Sequence, residues 1–258
     1  MAVVATATAI SVRQGIRARR EAAVSKAISD FLRNDLLSQA DPSNRARGQL
    51  DPNLTVRAAL DRAAHGMDGK FPHQPEVEAA LRETMGQTYF GLGQYKSAQV
   101  QFQRAAEIYE RIAGNDSPIT LKTMTELGFA DVHLDTVEAE RILTHNLEIQ
   151  RRILGPENLD TISTLSALAW AKGFQGNHAE AGALLKQVVE LRQRVLGPEH
   201  VDTLEAMHDL AGSYEWQGKH AESEALYRQV LQIQLRIFGE RHVNPILLGA
   251  MRRCTLEA

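Results

Sequence analysis

Apolar side chains recur at steps of three and four residues along most of the chain, the spacing that places them on one face of an α-helix. In one such stretch, Ile162, Leu165 and Leu168 form the apolar stripe of a predicted helix. The stripe belongs to a longer repeat, because the segment 155–161 (Gly-Pro-Glu-Asn-Leu-Asp-Thr) returns 42 residues later as 197–203 (Gly-Pro-Glu-His-Val-Asp-Thr). A fixed period of this size indicates a stacked array of repeated units.

Turn signals divide each unit at the same place. Gly176 and Gly218 interrupt two successive units, so each unit is predicted to contain a first helix (helix A), a turn and a second helix (helix B). Asp202 and Glu205 resemble a capping box at the start of the last full helix A. The predicted fold class is therefore an all-α solenoid of antiparallel helix pairs. Its four repeats are placed at about 76–113, 118–154, 160–196 and 202–238.

The segments on either side of the four repeats also show helical periodicity. Residues 1–40 predict one long amphipathic N-terminal helix, and a polar linker follows at 41–50. The repeat array as a whole is placed at 51–258. It opens with a helical lead-in at 51–67 and closes with a single terminal helix at about 244–256.

The first ten residues are apolar or small, and a group of arginines follows them between Arg13 and Arg20. A membrane-spanning helix needs about 20 apolar residues, so this stretch is too short to span a bilayer by itself. Two interpretations stay open: a frayed helix, or the trailing end of a membrane helix, with 1–40 as the remnant of a membrane-proximal segment. The predicted localisation is cytoplasmic if the chain is complete, and membrane-associated if Met1 lies at the end of a transmembrane helix.

Composition narrows the classes of partner. Lys and Arg number 29 against 32 Asp and Glu, which leaves a net charge of −3. We expect no nucleic-acid partner, because binding to phosphates normally needs an excess of basic side chains. The charge is uneven, with 11 basic and 7 acidic residues in 1–70 and 18 and 25 in the remainder. Cys254 is the single cysteine, which excludes an intrachain disulfide and a cysteine-based metal site.

Short motifs that suggest chemistry are explained by the repeat. The segment 91–96 (Gly-Leu-Gly-Gln-Tyr-Lys) begins like a dinucleotide loop, but no predicted β-strand precedes it. His178-Ala-Glu and His220-Ala-Glu resemble the His-x-Glu of zinc deaminases, yet those sites also need a cysteine pair, and the 42-residue spacing marks repeat positions. The motifs of a kinase domain are absent as well. The chain is therefore predicted to be no enzyme and to hold no cofactor and no metal.

Two segments carry a family resemblance. Residues 196–204 (Leu-Gly-Pro-Glu-His-Val-Asp-Thr-Leu) and 214–222 (Tyr-Glu-Trp-Gln-Gly-Lys-His-Ala-Glu) closely resemble the tetratricopeptide repeats (TPRs) of kinesin light chain type. The resemblance covers about residues 76–258 and implies a TPR solenoid, in which the helix pairs form a right-handed superhelix. Residues 31–71 look like the segment that follows the membrane helix in bacterial serine/threonine kinases with such repeats.

The resemblance also implies a binding surface. In TPR proteins the stripe of helix A opposite the core lines a concave groove, where extended peptides dock. The candidate partner-binding residues in three successive repeats are Lys122, Thr125, Glu126 and Phe129; Ser163, Ser166, Ala167, Trp170 and Phe174; and Glu205, His208, Asp209 and Trp216. His133 and Gly212 occupy equivalent positions on the same stripe.

One position on this stripe departs from the family pattern. Kinesin light chain type repeats usually carry asparagine there, and this chain has Thr84, Glu126, Ala167 and Asp209 instead. Two acidic residues at this position favour a neutral or basic ligand over an acidic one. The partner is therefore predicted to be a protein or peptide segment that is apolar with basic flanks.

Phe129 and Trp170 share one repeat position, and two roles stay open for them. Their rings either form neighbouring aromatic pockets for a ligand or fill space between adjacent repeats. The two roles differ in one consequence. Replacing a ligand anchor weakens binding while the fold survives, whereas replacing an inter-repeat ring weakens the fold.

The predicted function is a non-catalytic scaffold or sensor module that binds a protein segment in the groove. The alternative is a detached sensory or regulatory region of a bacterial membrane-bound serine/threonine kinase. A second alternative is structural self-association through the terminal half repeat, where Ile246, Leu247 and Met251 have no predicted partner helix.

Overall fold

The structure is a computed structural model that describes residues 55–238 and, upstream of them, the helical positions 22, 25, 26, 29 and 30. The predicted linker at 41–50, the predicted terminal helix at 244–256 and the rest of the predicted helix 1–40 lie outside the described residues. Within the described part of the chain all regular secondary structure is α-helical, which confirms the all-α fold class. None of its helices is both long and apolar enough to cross a membrane.

Nine helices follow one another between residues 55 and 238. The first is a short lead-in helix, and the other eight form four pairs of helix A and helix B. Their bounds are α1 Val56–His65; α2 Pro75–Gly91 and α3 Tyr95–Ala113; α4 Pro118–Asp131 and α5 Thr136–Ile153; α6 Leu159–Phe174 and α7 His178–Leu196; and α8 Val201–Trp216 and α9 His220–Phe238.

The chain divides into two compact units, and the boundary falls after Thr123, inside α4. We call the part up to Thr123 unit 1 and the part from Met124 unit 2. The repeat pattern of the sequence runs through this boundary. A division of this kind is expected in a repeat protein, because each helix pair contacts only its neighbours and no single core extends along the chain.

Helices α6 and α8 begin with a side-chain cap at the same repeat position. Asn158 Oδ1 accepts a hydrogen bond from the backbone N–H of Asp160 at 2.9 Å, and His200 Nδ1 accepts one from Asp202 N–H at 3.2 Å. Each cap satisfies an N–H group that the first turn of a helix leaves without an intrahelical partner. The predicted capping box is wrong, because His200 is the N-cap of α8 and Asp202 lies in its first turn.

The turns between helix A and helix B use glycine in three pairs and aspartate in the fourth. Gly93, Gly176 and Gly218 have φ angles of 69°, 85° and 72°, where glycine is the least costly residue. The repeat that contains α4 and α5 is one residue shorter in sequence, and its turn carries Asp135. Its carboxylate accepts hydrogen bonds at 3.1 Å from the backbone N–H groups two and three residues later, so a side chain caps α5.

Unit 2 has an apolar core formed by the facing stripes of its helices. The predicted stripe of α6, with Ile162, Leu165 and Leu168, is buried. It belongs to one cluster with side chains of α5, α7, α8 and α9. Close packing depends on small residues, since a Cβ atom at Gly128 would lie 2.7 Å from the Leu143 side chain. The repeated helix pairs of unit 2 therefore share a continuous interior.

Uncharged polar side chains form a hydrogen-bonded network within unit 2. The hydroxyl of Thr164 donates to Gln150 Oε1 at 2.6 Å and lies 2.6 Å from the hydroxyl of Thr125. Asn146 Nδ2 donates to Thr125 Oγ1 at 2.8 Å. Thr164, Gln150 and Asn146 are all buried, so these hydrogen bonds replace water that the groups lost on folding.

Unit 1 buries a charged side chain. The Arg82 side chain is only 3% exposed and donates to Asp68 Oδ1 at 2.7 Å and to Glu78 Oε1 at 2.9 Å. It also donates to Gln101 Oε1 at 3.3 Å, which joins α2 to α3. The hydrogen bond and the charge of Arg82 hold the pKa of the Asp68 carboxyl below its ordinary value.

Glu83 is the centre of a second charged group in unit 1. Lys122 Nζ donates to Glu83 Oε1 at 3.2 Å. Burial and the Glu83 carboxylate raise the pKa of the Tyr109 hydroxyl well above its ordinary range. Tyr89 Oη donates to Asp61 Oδ1 at 2.8 Å, which joins α2 to the lead-in helix α1. Unit 1 is therefore held together in part by ionised side chains.

Candidate binding face

Five side chains of unit 2 form a continuous series of ring contacts, which we call the aromatic row: Phe129, His133, Phe174, Trp170 and Trp216. In that order, the centroids of successive rings lie 6.3, 5.4, 6.0 and 5.8 Å apart. These separations lie in the range where edge-to-face and tilted ring pairs attract. Burial lowers the pKa of the His133 imidazole, which favours the neutral ring in this apolar contact.

The helical repeat explains the geometry of the row. Phe129 and Trp170 occupy one repeat position of helix A, and His133, Phe174 and Trp216 occupy another, four residues further along. On α6, Trp170 and Phe174 are four residues apart and therefore lie one above the other on the same helix face, whereas His133 lies in the turn just after α4. Contacts between Phe174 and His133, and between Trp170 and Trp216, then join the rings of successive repeats.

The row is packed on one side and accessible on the other. Phe129 and Trp170 are half-buried and pack against the core of unit 2. Phe174 and Trp216 are 51% and 44% exposed. Trp216 lies over Gly173, where a Cβ atom would come within 2.7 Å of the indole ring. This packing supports the inter-repeat role for Phe129 and Trp170 and makes the two exposed rings the better candidates for ligand contact.

Carboxylates lie near Trp170, the fourth ring of the row. Trp170 Nε1 donates to Asp209 Oδ2 at 3.4 Å, and His208 Nδ1 lies 3.8 Å from Asp209 Oδ1. Partial desolvation and the nearby Asp209 carboxylate raise the pKa of Glu205, a modest effect because its side chain is 69% exposed, and Arg192 Nη1 lies 3.9 Å from the Glu205 carboxylate. The surroundings of Glu205 therefore disfavour a further negative charge and would favour a cation.

Three of the predicted binding residues are engaged elsewhere. Lys122 belongs to unit 1, where it pairs with Glu83. Ser163 Oγ donates to the Leu159 carbonyl of its own helix at 2.9 Å. Ala167 is 4% exposed and lies in the core cluster, so its assignment to an open surface is wrong. The reason is its place on α6, three residues after the buried Thr164 and therefore on the same inward face.

The other predicted polar residues differ in burial, from the half-buried Thr125 to Glu205, whose side chain is 69% exposed. Thr125, Glu126 and Ser166 are half-buried, and the Thr125 hydroxyl belongs to the polar network already described. The His208 ring packs 5.3 Å from the ring of the buried Tyr227. The predicted stripe is thus divided: its aromatic members meet in one row, whereas Thr125 belongs to the polar network of the interior.

Two glutamines, Gln175 and Gln217, position the helices, and the sequence patterns predicted no such role for either. Gln175 Nε2 donates to the Thr136 carbonyl at 2.9 Å, and Gln217 Nε2 donates to the His178 carbonyl at 3.0 Å. Each hydrogen bond ties the end of a helix A to the start of the preceding helix B. The 42-residue repeat could have revealed them, because the two glutamines are 42 residues apart and so are the two residues whose carbonyl groups accept. The His178 ring also lies 5.5 Å from Trp216.

The helix pairs and their side-chain row define a class, the α-helical repeat proteins. Tetratricopeptide repeat models match residues 79–119, 134–194 and 171–236, which together cover more than half of the sequence. The chain belongs to the tetratricopeptide repeat family. No curated protein matches the sequence.

Solved structures agree on the fold. The TPR-like repeats of a kinesin light chain candidate from Podosopora anserina, in a variant form, are 24% identical, with a TM-score of 0.57 over 80% of this chain and 96% of that chain. BtubC (BKLC) from P. vanneervenii is 16% identical, with a TM-score of 0.56 over 88% and 94%. Rap protein complexed with Competence and Sporulation Factor is 12% identical, with a TM-score of 0.58 over 91% and 71%.

These comparisons indicate the general class of function. TPR proteins are generally scaffolds for interactions between proteins. No catalytic domain is evident in the part of the chain that the structure describes. The similarity to kinesin light chain repeats lies in the fold and the repeat.

Proposed function

We propose that this protein is a non-catalytic interaction module that binds a segment of a partner protein on the aromatic row of unit 2. The proposal is carried by one observation. Phe174 and Trp216 are about half exposed while they remain in ring contact with the rest of the row. Tryptophan is strongly enriched among the residues that dominate binding energies, and clustered exposed apolar side chains mark interaction sites.

Charge suggests the chemistry of the partner segment. Asp209 lies beside the row, and Glu205 lies one helical turn before it. Partial desolvation and the Asp209 carboxylate raise the pKa of Glu205, which indicates that another anion is disfavoured here. The segment is therefore apolar where it meets the rings and basic beside them. Exposed charge pairs are screened by salt, so binding weakens as ionic strength rises.

The fold supports a role in holding a partner. TPR proteins generally bind other proteins, and the Rap protein with a similar fold was solved in complex with Competence and Sporulation Factor. In this protein the same kind of helix array supplies a rigid support, because Phe129 and Trp170 pack against the core of unit 2. A preformed surface lowers the entropic cost of binding.

The test uses the two tryptophans of the chain, since both Trp170 and Trp216 lie in the row. Short random peptides displayed on phage are selected on the full chain, and the recovered peptides are titrated while tryptophan emission is recorded. We expect a saturable change in emission and slower hydrogen exchange in α6 and α8. Protection confined to α2 and α3, with unchanged emission, would contradict the proposal.

A matched pair of variants separates the row from other exposed apolar side chains. Phe174→Ala removes a ring that is 51% exposed, and Val201→Ala removes an apolar side chain that is 61% exposed at the start of α8. The first should weaken peptide binding about fivefold or more, as expected for an anchor worth about 1 kcal/mol. The second should leave binding unchanged.

The alternative functions depend on residues outside the described part of the chain. The kinase-associated sensor depends on the region before residue 55, and self-association depends on Ile246, Leu247 and Met251. Both stay predictions. In-frame coding sequence upstream of Met1 that encodes a membrane helix would favour the first, and a molecular mass that rises with protein concentration would favour the second.

A further inference from the structure

Five glycines lie inside described helices. At four of them a neighbouring side chain leaves no room for a Cβ atom, and at the fifth there is room. A Cβ atom would lie 2.4–2.7 Å from a neighbouring side chain at Gly86, Gly128, Gly173 and Gly182. At Gly212, inside α8, the nearest atom would be Tyr227 Oη at 3.7 Å, an ordinary contact. Glycine destabilises a helix interior relative to alanine. Close contacts with neighbouring side chains therefore explain the first four glycines and leave Gly212 unexplained.

Gly212 interrupts the pattern of the aromatic row. It occupies the repeat position that holds Phe129 and Trp170 in the two preceding repeats. The row therefore lacks a side chain at this position, and we call the surface beside Gly212 the notch. Asp209 precedes it by three residues and Trp216 follows it by four, so both lie beside it on the same face of α8.

Trp170 of the preceding repeat contacts both residues that flank the notch. Trp170 donates to the Asp209 carboxylate at 3.4 Å, and its ring lies 5.8 Å from the ring of Trp216. Asp209 and Trp216 thus flank this position along α8, Trp170 contacts both of them, and the atom nearest to a Cβ at Gly212 is Tyr227 Oη at 3.7 Å. Gly212 itself is partly exposed, so the notch is open to solvent. The notch therefore offers a ligand two indole rings and one carboxylate.

We propose that the notch receives an arginine side chain of the partner segment. The proposal rests on the function proposed above and adds to it the chemistry of the central contact. A guanidinium group stacks on aromatic faces and donates paired hydrogen bonds to a carboxylate, which matches Trp216, Trp170 and Asp209. A ligand phenyl ring would fill the space and leave Asp209 without a new donor.

Charge around the notch favours the same occupant. Glu205 and Asp209 lie one turn apart on α8, and Arg192 is the cation placed near Glu205. The Arg192 guanidinium also donates to the Asp202 carbonyl at 2.6 Å, which holds it at the start of α8. A ligand arginine would offset the charge of Asp209. A ligand carboxylate would be repelled.

The test compares four synthetic peptide libraries on the full chain. Each library holds acetylated five-residue peptides that are random except at the centre, which is arginine, citrulline, lysine or phenylalanine. Citrulline keeps the shape of arginine without its charge. Tryptophan emission reports binding, and we expect the arginine library to bind the wild type roughly tenfold more tightly than the citrulline library.

Three variants assign the preference to the notch. Gly212→Leu fills it and should abolish the advantage of arginine over citrulline. Gly91→Leu is the matched control, because a Cβ atom there meets no atom within 4 Å and Gly91 ends α2 in unit 1. It should keep the advantage. Gly212→Ala should raise the thermal midpoint of unfolding and reduce the advantage, which preserves the test if the leucine variant folds poorly.

The outcomes separate this inference from the proposed function. Equal binding of the arginine, lysine and phenylalanine libraries, or an arginine preference that survives in Gly212→Leu, would overturn the arginine assignment and leave the row as a binding face. If no library and no selected peptide changed the emission of the wild type, both the notch and the row would be wrong.

Discussion

The two units share one helix-pair architecture and differ in what that architecture holds. Unit 1 buries the charged side chain of Arg82 among carboxylates, whereas the network within unit 2 consists of hydroxyl and amide groups around Thr164. Apolar helix stripes are common to both units. The comparison teaches that the spacing of apolar residues sets the helix pairs, while the polar interior is free to vary between repeats.

The surfaces of the units differ at equivalent positions. Unit 2 carries Phe129 and His133 on α4 and in the turn that follows, and the same positions on α2 of unit 1 are Gln87 and Gly91. The aromatic row is therefore a property of unit 2 within the described residues. This difference predicts that peptide binding depends on unit 2, whereas the buried charge whose removal is most destabilising lies in unit 1.

The largest effect on stability should come from breaking the charged interior of unit 1. Arg82→Met removes a cation that is 3% exposed and leaves Glu78 and Gln101 without its hydrogen bonds. Removal of one partner of a buried ion pair costs about 3–5 kcal/mol, and we expect about 3 because the carboxylates keep some access to water. Denaturant unfolding measures the loss.

The control for this change is Arg104→Met. Arg104 is 53% exposed and its Nη1 atom lies 3.8 Å from Asp68, so its removal should cost less than about 1 kcal/mol. Hydrogen exchange should quicken in α2 and α3 of Arg82→Met and change less in α7 to α9. A uniform loss of protection in both units would contradict the assignment of this effect to the charged interior of unit 1.

A smaller loss should follow from breaking the uncharged network of unit 2. Thr164→Val keeps the shape of the side chain and removes the hydroxyl that donates to Gln150. A buried group left without its hydrogen bond costs about 1–3 kcal/mol, and unfolding of the variant should show a loss near 1–2. Ser163→Ala removes an exposed hydroxyl of the same helix and should be nearly neutral. Equal losses in the two variants would show that burial of the network is unimportant.

The smallest effect should come from Glu205, whose pKa is raised by burial and by the nearby Asp209 carboxylate. A raised carboxyl pKa means that the folded state favours the protonated form, so its contribution to stability is present at low pH and lost as pH rises through the folded pKa. Glu205→Gln should therefore stabilise the protein by a few tenths of a kcal/mol at neutral pH. The gain should vanish in acid, where the wild-type group is protonated.

Thermal unfolding across pH checks this sign, with Glu157→Gln as the control. Glu157 lies 3.0 Å from Arg194 Nε, so the loss of its charge should give no stabilisation. If Glu205→Gln were instead less stable at neutral pH, the contact with Arg192 would outweigh the unfavourable surroundings of the Glu205 carboxylate. The negative edge of the notch would then be weaker than the structure indicates.

Much of the fold could be predicted because it depends on periodicity. Apolar steps of three and four residues and the 42-residue period indicated helix pairs, and the glycine turns at 93, 176 and 218 marked where helix A gives way to helix B. The capping box failed for a local reason. His200 and Asp202 both have side chains that can cap a helix, and the choice between them depends on backbone geometry that the sequence does not display.

The candidate site could be predicted only in outline. Helical spacing placed Trp170, Phe174 and Trp216 on one stripe, and the structure brings their rings together. The same spacing could not separate Ala167 from them, because a helix in an array is covered on more than one side. The charged network of unit 1 escaped prediction, since Arg82 meets Asp68 and Gln101 across 14 and 19 residues of sequence.

The central claim is that the two exposed rings of the aromatic row, Phe174 and Trp216, serve binding and contribute little to the fold. The most direct test measures peptide affinity and the free energy of unfolding on one double variant, Phe174→Ala with Trp216→Ala. We predict a loss of affinity of roughly 30-fold, as for two anchors of about 1 kcal/mol each, with unfolding changed by less than about 1 kcal/mol. Unchanged affinity, or early unfolding that accounts for the lost binding, would contradict the claim.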